Sequence, residues 1–292
     1  SLLFAALLLG LTSFASAQIA VQADTIYTMD GPKIVDGVVL ANNGKIEAVG
    51  SASDVKIPSN YEMHETSVVT PGLIDAHTVV GLAGIYNQDS DQDQLETSNA
   101  IQPELRAFDA YNAREELVSF VLSKGVTTVH TGHGPGALAS GQTMIAKTAY
   151  NSVENALVDS ATTVAFTLGS AVGQYFDKPG TRSKGVAMLR QKFIEAQEYM
   201  EKRSAGDPTK RPPKNLQMEA LADVLNGELT AMITAHRSQD IMTALRLKEE
   251  FGFDMILDGA AEAYMVLDEI KEAGVPVFIH PTMIRTYGDS KN

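Results

Sequence analysis

Three helix-like segments of this chain end at a glycine and are followed at once by an apolar strand-like run. In each segment apolar side chains recur at helical spacing, and the glycine after the last turn can adopt the left-handed cap that ends a helix. The three pairs are Gly125 with residues 126–129, Gly252 with residues 254–257, and Gly274 with residues 275–279. Continuous apolar strands that alternate with amphipathic helices are typical of parallel strands covered on both faces. The pattern predicts an α/β fold, either a (β/α) barrel or a doubly wound sheet.

Residues 18–66 show a different pattern, made of short strand-like runs and turn signals. β-branched and aromatic side chains are frequent, and Asn43-Gly44 is the dipeptide of a tight hairpin turn. A few short strands are only marginally stable alone. We therefore expect a small N-terminal β-sandwich-type domain over residues 18–66, next to a larger domain over residues 67–292.

The first 17 residues have the features of an export signal. Leu2 to Leu11 is almost entirely apolar, and Ala15-Ser16-Ala17 is a small-x-small cleavage pattern. The apolar run is shorter than the roughly 20 residues that span a bilayer. We expect residues 1–17 to be a cleaved signal peptide, the protein to be exported to a periplasm, and no stable membrane span after cleavage. A buried N-terminal helix is the alternative.

The composition excludes several classes of function. The formal net charge is −13, and the chain contains no cysteine. An excess of carboxylates repels phosphate groups, so nucleic-acid binding is not expected. Without cysteine there are no disulfides, Cys-ligated zinc sites or thiol nucleophiles. The expected partner is a small-molecule substrate, and a homo-oligomer is compatible with the sequence.

Histidine and aspartate side chains occur at the carboxyl ends of separate apolar runs. These residues are His77, His130, His236, Asp258 and His280. In a parallel barrel such ends converge on one mouth, where active sites are built. Imidazole and carboxylate groups bind divalent ions, which lower the pKa of bound water and polarise a carbonyl. The arrangement predicts metal-dependent hydrolysis, although each residue alone could also anchor a loop.

The stretch from Pro71 to His77, Pro-Gly-Leu-Ile-Asp-Ala-His, reads as a buried strand and resembles the first barrel strand of the amidohydrolase superfamily. There the pattern Pro-Gly-apolar-apolar-Asp-x-His-x-His introduces the first metal ligands. The glycine-rich loop from His130 to Gly136 and the late strands near His236 and Asp258 are similar to the imidazolonepropionase-like branch of that superfamily. The resemblance covers nearly everything after residue 17. It implies a (β/α)8 TIM-like barrel that is incomplete in this chain, as in a fragment of a longer protein.

The resemblance also implies roles for individual residues. By it, His77 and His236 fall on metal-ligand positions. The other polar residues are expected to act at the same mouth, Asp258 and His280 as catalytic acid and base, and His130 and His133 in substrate binding.

One departure from the family pattern limits the expected metal site. Val79 stands where the motif has its second histidine, and valine cannot bind a metal. No lysine or glutamate is assigned as a bridging ligand, and the aspartate usually supplied by strand eight would lie beyond Asn292. We therefore expect one divalent ion, zinc or iron, rather than two, with a metal-free site as an alternative.

The function implied by the resemblance is hydrolysis of a non-peptide carbon–nitrogen bond. The substrate would be a cyclic amide or a small amidated metabolite, attacked by an activated water. The competing hypothesis is a degenerate relative that binds a small molecule on the same fold without catalysis. Val79 motivates this second hypothesis.

Overall fold

The structure is a computed structural model that describes residues 18–280, with the side chain of residue 210 left out. The chain divides into two compact units between Gly72 and Leu73. The predicted signal peptide, residues 1–17, lies outside the described residues. No helix among the residues described is long and apolar enough to cross a lipid bilayer.

The first unit contains a four-stranded sheet. Its strands are β1 (Ile19–Ile26), β2 (Ile34–Asn42), β3 (Lys45–Ser51) and β4 (Glu62–Val69), in the order β3-β2-β1-β4. The predicted hairpin is confirmed: β2 and β3 pair antiparallel, and both Asn43 and Gly44 have the positive φ of such turns. The described strands form one sheet only, so the predicted sandwich-type domain is not confirmed. The predicted boundary after residue 66 falls inside β4.

The second unit contains a seven-stranded sheet with helices between its strands. The strands are β5 (Leu73–Thr78), β6 (Val126–Thr131), β7 (Ala139–Lys147), β8 (Leu157–Thr167), β9 (Thr230–Ala235), β10 (Met255–Gly259) and β11 (Val277–Phe278). The helices are α1 (Ala107–Ala110), α2 (Glu116–Ser123), α3 (Val153–Ala156), α4 (Arg182–Arg203), α5 (Leu216–Leu225), α6 (Ser238–Phe251) and α7 (Leu267–Glu272).

The glycine caps that suggested this alternation are present. Gly125, Gly252 and Gly274 follow α2, α6 and α7, with φ values of 87°, 78° and 63°. An L-residue with a side chain rarely adopts this conformation, so glycine is the residue suited to turn the chain into the next strand. The predicted α/β class is therefore confirmed.

The sheet is mixed rather than fully parallel. Its strand order is β11-β10-β9-β8-β7-β6-β5, and β7 runs antiparallel to both β6 and β8, whereas all other pairs are parallel. Only residues 132–138 join β6 to β7, and a parallel return needs a crossover of a dozen or more residues. The prediction of an all-parallel sheet is wrong at this strand for that reason.

The sheet is strongly curled. β5 and β10 are five strand spacings apart in the order, which would be about 24 Å in a flat sheet. Yet the Nδ1 atom of His77 on β5 lies 2.9 Å from Oδ1 of Asp258 on β10. The seven strands therefore form a nearly closed, barrel-like sheet, and closure by an eighth strand stays a prediction.

Strand β5 is less buried than its apolar sequence suggests. Leu73 is 57% exposed and Ile74 is 71% exposed, whereas His77 is buried. β5 is an edge strand, and its described ladder partner is β6 alone. The prediction that this entire strand is buried is wrong, because one of its sides lacks a described neighbouring strand.

A cluster of phenylalanines packs α4 against the sheet and against the end of α6. The ring centre of Phe193 lies 5.8 Å from that of Phe166, 5.0 Å from that of Phe251 and 5.3 Å from that of Phe253. Phe193 is 2% exposed, so its full area is removed from water. This cluster holds the outer helices onto β8, which is one of the central strands.

We expect Phe193→Ala to lower the free energy of unfolding by about 3–5 kcal/mol, because it leaves a cavity among three aromatic rings. Ile194→Ala is the matched control, since Ile194 is the next residue of the same helix and is partly exposed; its cost should stay below about 1 kcal/mol. Urea unfolding measures both. Equal costs would contradict the assigned orientation of α4.

Candidate functional site

The carboxyl ends of the parallel strands bring three predicted residues together. His77 lies in β5, Asp258 lies in β10, and His280 follows β11 by two positions. Among the described histidines and carboxylates, these three form the group whose ligand atoms all lie within 4.8 Å of one another. They come from the two edges of the sheet, so the curl of the sheet creates the site.

Both histidines bind the same carboxylate oxygen. His77 Nδ1 lies 2.9 Å and His280 Nε2 lies 2.7 Å from Oδ1 of Asp258, and because a carboxylate only accepts, both nitrogens donate. The Thr234 hydroxyl donates to the other oxygen, Oδ2, at 2.8 Å. The Asp258 carboxylate is thus fixed on both sides.

Asp258 is ionised despite its position inside the protein. Burial opposes the charge and by itself would raise the pKa of this carboxyl group. The hydrogen bonds from His280 and His77, together with their positive charge when protonated, outweigh burial and hold the pKa well below its usual range. The site therefore contains a buried negative charge close to two imidazole rings.

The second ring nitrogen of His77 has the environment of an unused ligand. His77 Nε2 is buried and has no hydrogen-bond partner among the described residues. Unpaired buried polar atoms are uncommon and call for a specific explanation. Donor atoms around one ion with bonds of about 2.0–2.2 Å lie up to roughly 4 Å apart, and one ligand atom from each of these three residues lies within 4.8 Å of the others. Two imidazoles and one carboxylate are ligand types suited to a divalent metal ion, which would take the place of the protons that His77 Nδ1 and His280 Nε2 donate to Asp258.

His130 is held by hydrogen bonds on both sides of its ring. Nδ1 donates to the carbonyl of Ala76 at 2.8 Å, so the neutral ring accepts at Nε2 from the hydroxyls of Thr143 at 2.6 Å and Thr162 at 2.9 Å. Burial, aided by the nearby His77, lowers the pKa of His130. The geometry gives His130 a positioning role that ties β5 to β7 and β8. Its role in substrate binding stays a prediction.

His236 and His133 lie outside the three-residue group. The His236 ring packs against Gly259, where an added Cβ would come within 2.5 Å of its Cε1 atom. Gly259 has a φ of 78°, so it both ends β10 and leaves room for this ring. His133 is buried in the loop after β6 and packs against Gly141. The metal-ligand role of His236 stays a prediction, because His236 is not among the three residues whose ligand atoms converge.

Val79 lies one residue beyond the end of β5, which ends at Thr78. Val79 Cγ1 lies 3.2 Å from where a Cβ on Gly134 would stand. Val79 therefore packs under the glycine-rich loop.

Sequence reasoning missed Thr234 and Thr143, the two hydroxyls that orient the site. Thr143 is fully buried and contacts Thr163 Oγ1 at 2.7 Å as well as His130. Thr143 lies in β7, which contains several other polar residues, and Thr234 lies in the mostly apolar strand β9. That was the available signal, but threonine is common in strands and so the signal is weak.

Because His130 and His133 are buried, we expect the free energy of unfolding to depend on pH. Burial lowers the pKa of His130 and of His133, with Asp93 partly opposing the effect at His133. The unfolded chain takes up these protons near pH 6.5 while the folded protein still excludes them. The free energy of unfolding should therefore fall as the pH drops below about 6.5, by up to about 1.4 kcal/mol per pH unit for each histidine.

Urea unfolding between pH 7.5 and 5.5 measures this slope. His133→Gln is expected to reduce it, because one proton-binding group is lost. His64→Gln is the control, since His64 is an exposed histidine of the first unit. A slope unchanged by His133→Gln would contradict the lowered pKa of this group.

Comparisons with known proteins agree with this fold. No protein-family model matches the chain. Over 119 residues it is 32% identical to an imidazolonepropionase of Idiomarina loihiensis; this match covers 35% of the chain and 29% of that enzyme, so it spans under a third of the relative's length.

Solved structures provide the wider match. The structure of an amidohydrolase from Thermotoga maritima superimposes with a TM-score of 0.86 and 26% identity, covering 94% of this chain and 73% of that one. A molinate hydrolase aligns over 92% of this chain and 64% of its own, at 15% identity and a TM-score of 0.47, which is too low to establish a relationship. Together the imidazolonepropionase and Thermotoga maritima matches support assigning the chain to the amidohydrolase superfamily, with an imidazolonepropionase-like sequence over part of its length.

Proposed function

We propose that this protein hydrolyses a non-peptide carbon–nitrogen bond in a cyclic amide or a small amidated metabolite. The observation that carries the proposal is the convergence of His77, Asp258 and His280, with Nε2 of His77 buried and without a hydrogen-bond partner among the described residues. The names of the two related proteins, imidazolonepropionase and amidohydrolase, support the reaction class. The degenerate binding protein is not favoured, because the donor set is complete enough to hold one ion.

In this proposal His77, Asp258 and His280 hold one divalent ion, zinc or iron. When bound, the ion would lower the pKa of an attacking water and polarise the scissile carbonyl. This assignment makes Asp258 and His280 ligands, whereas the sequence suggested acid and base roles for them. Without a metal, the same His–Asp–His group would carry the proton, as in the metal-free alternative.

The surrounding residues prepare the site for this chemistry. Thr234 fixes the plane of the Asp258 carboxylate through Oδ2 and leaves Oδ1 directed at the two histidines. Such outer hydrogen bonds orient metal ligands and tune their affinity. The His280 side chain is 40% exposed, whereas those of His77 and Asp258 are almost fully buried. We infer that the substrate approaches from the His280 side.

The proposal also includes two features that stay predictions. The curl of the seven-stranded sheet supports a TIM-like (β/α)8 barrel, to which an eighth strand would be added. The apolar N-terminal segment supports export to a periplasm. Fractionation of cells that express the full-length protein tests the second feature.

Metal analysis of the purified full-length protein tests the site. We expect about one equivalent of zinc or iron, together with turnover of cyclic amides in an activity screen. His77→Ala and Asp258→Asn should each lower the metal content severely and reduce turnover by at least about a hundredfold, because each removes a ligand.

His64→Ala is the matched control, since it removes an exposed histidine of the first unit. It should leave both metal content and turnover unchanged. Thr234→Val should keep the fold but weaken metal binding about tenfold or more, as expected for the loss of an orienting hydrogen bond. The proposal would be contradicted if the purified protein contained no metal and hydrolysed no cyclic amide.

A further inference from the structure

A second cavity lies beside the glycine-rich loop and shares no residue with the His77, Asp258 and His280 group. It has a volume of about 290 Å³ and is lined by residues of the long segment after β5 and by His133 from the loop after β6. The volume is near the lower end of the range for small-molecule sites. We call it the His133 cavity.

Several residues that line this cavity carry buried polar atoms with unused hydrogen-bonding capacity. His133 is 4% exposed, and neither ring nitrogen makes a hydrogen bond of ordinary geometry to a described residue, although the Asp93 backbone lies close enough to raise the pKa of this group. Glu104 Oε2 and Gln92 Nε2, from two other lining residues, are likewise buried and unpartnered. Each such atom costs free energy unless something binds it. Buried atoms with unused hydrogen-bonding capacity on three residues that line one cavity indicate that a polar ligand belongs there.

The ring of His133 is held in place from behind. Its Cδ2 and Nε2 atoms lie 2.4 and 2.9 Å from where a Cβ on Gly141 would stand, so only glycine allows the ring to pack there. Burial lowers the pKa of His133, and its ring is therefore neutral near pH 7, with one nitrogen that donates and one that accepts. The His133 imidazole is therefore fixed in position and can both donate and accept a hydrogen bond.

The charged residues around the cavity indicate the charge of the ligand that it would bind. Arg106 is the one basic lining residue, and Asp109 binds it through two hydrogen bonds of 2.8 and 2.7 Å. The remaining charged lining residues, Asp93, Glu96 and Glu104, are all acidic. A cation is therefore favoured over an anion. The group His77, Asp258 and His280 is the described cluster with metal-binding spacing, so an organic cation fits the His133 cavity better than a metal ion.

We propose that the His133 cavity binds a small organic amine through its ammonium group. The ammonium would donate to Glu104 Oε2 and to the accepting nitrogen of His133. An acceptor elsewhere on the ligand, such as a hydroxyl, would take the hydrogen bond of Gln92 Nε2. This ligand site does not depend on the proposed hydrolysis.

Two probes of equal size test the proposal with the full-length protein. 4-Amino-1-butanol carries an ammonium group, and 1-pentanol has a methyl group in its place. In an NMR titration we expect the amine to bind saturably and the alcohol to bind at least about tenfold more weakly, because a charged hydrogen bond is lost. Equal affinity of the two probes, or no saturable binding of the amine, would overturn the proposal.

Variants then locate the site. Glu104→Gln should weaken amine binding about tenfold, whereas Glu272→Gln, which removes an exposed carboxylate on α7, should leave it unchanged. His77→Ala should also leave it unchanged, and loss of amine binding in that variant would place the amine at the other site. Unchanged binding in Glu104→Gln would likewise contradict the assignment. The wild-type comparison of the two probes remains decisive even if a variant fails to fold.

Discussion

One oxygen atom, Oδ1 of Asp258, joins the two edges of the curled sheet. It accepts from His77 on β5 and from His280 after β11, and the Thr234 hydroxyl holds its partner oxygen. A buried carboxylate is costly unless it is paired and hydrogen-bonded on all sides. The same three bonds that make Asp258 tolerable inside the protein also place two imidazoles within reach of a single ion. Stability of the curled sheet and assembly of the site thus depend on one group.

The antiparallel strand β7 supports this arrangement from the middle of the sheet. It carries Thr143, whose hydroxyl meets both His130 and Thr163, and His130 in turn donates to the backbone of β5 next to His77. The chain of contacts runs from a central strand to the edge that carries the candidate ligand. The glycine-rich loop that allows β7 to turn back also carries His133.

Much of the fold follows from the sequence, because glycine caps and apolar runs are local features. The strand ends that carry His77, Asp258 and His280 were predictable for the same reason. Which of the polar residues meet was not, since this depends on how tightly the sheet curls and on where β7 is inserted. Thr234 and Val79 illustrate the difference. The contact of Thr234 with Asp258, and that of Val79 with the loop at Gly134, are made with residues that are distant in the sequence.

The contact between His77 and Asp258 spans 181 positions of the chain. Bringing such distant segments together costs roughly 3 kcal/mol more chain entropy than closing the short β6–β7 link. Contacts of this range form late, after local hairpins and helices have shortened the distance between them. The candidate site is therefore a marker of the finished fold: a partly folded chain would contain most of its helices and strands but would lack the contact between His77 and Asp258.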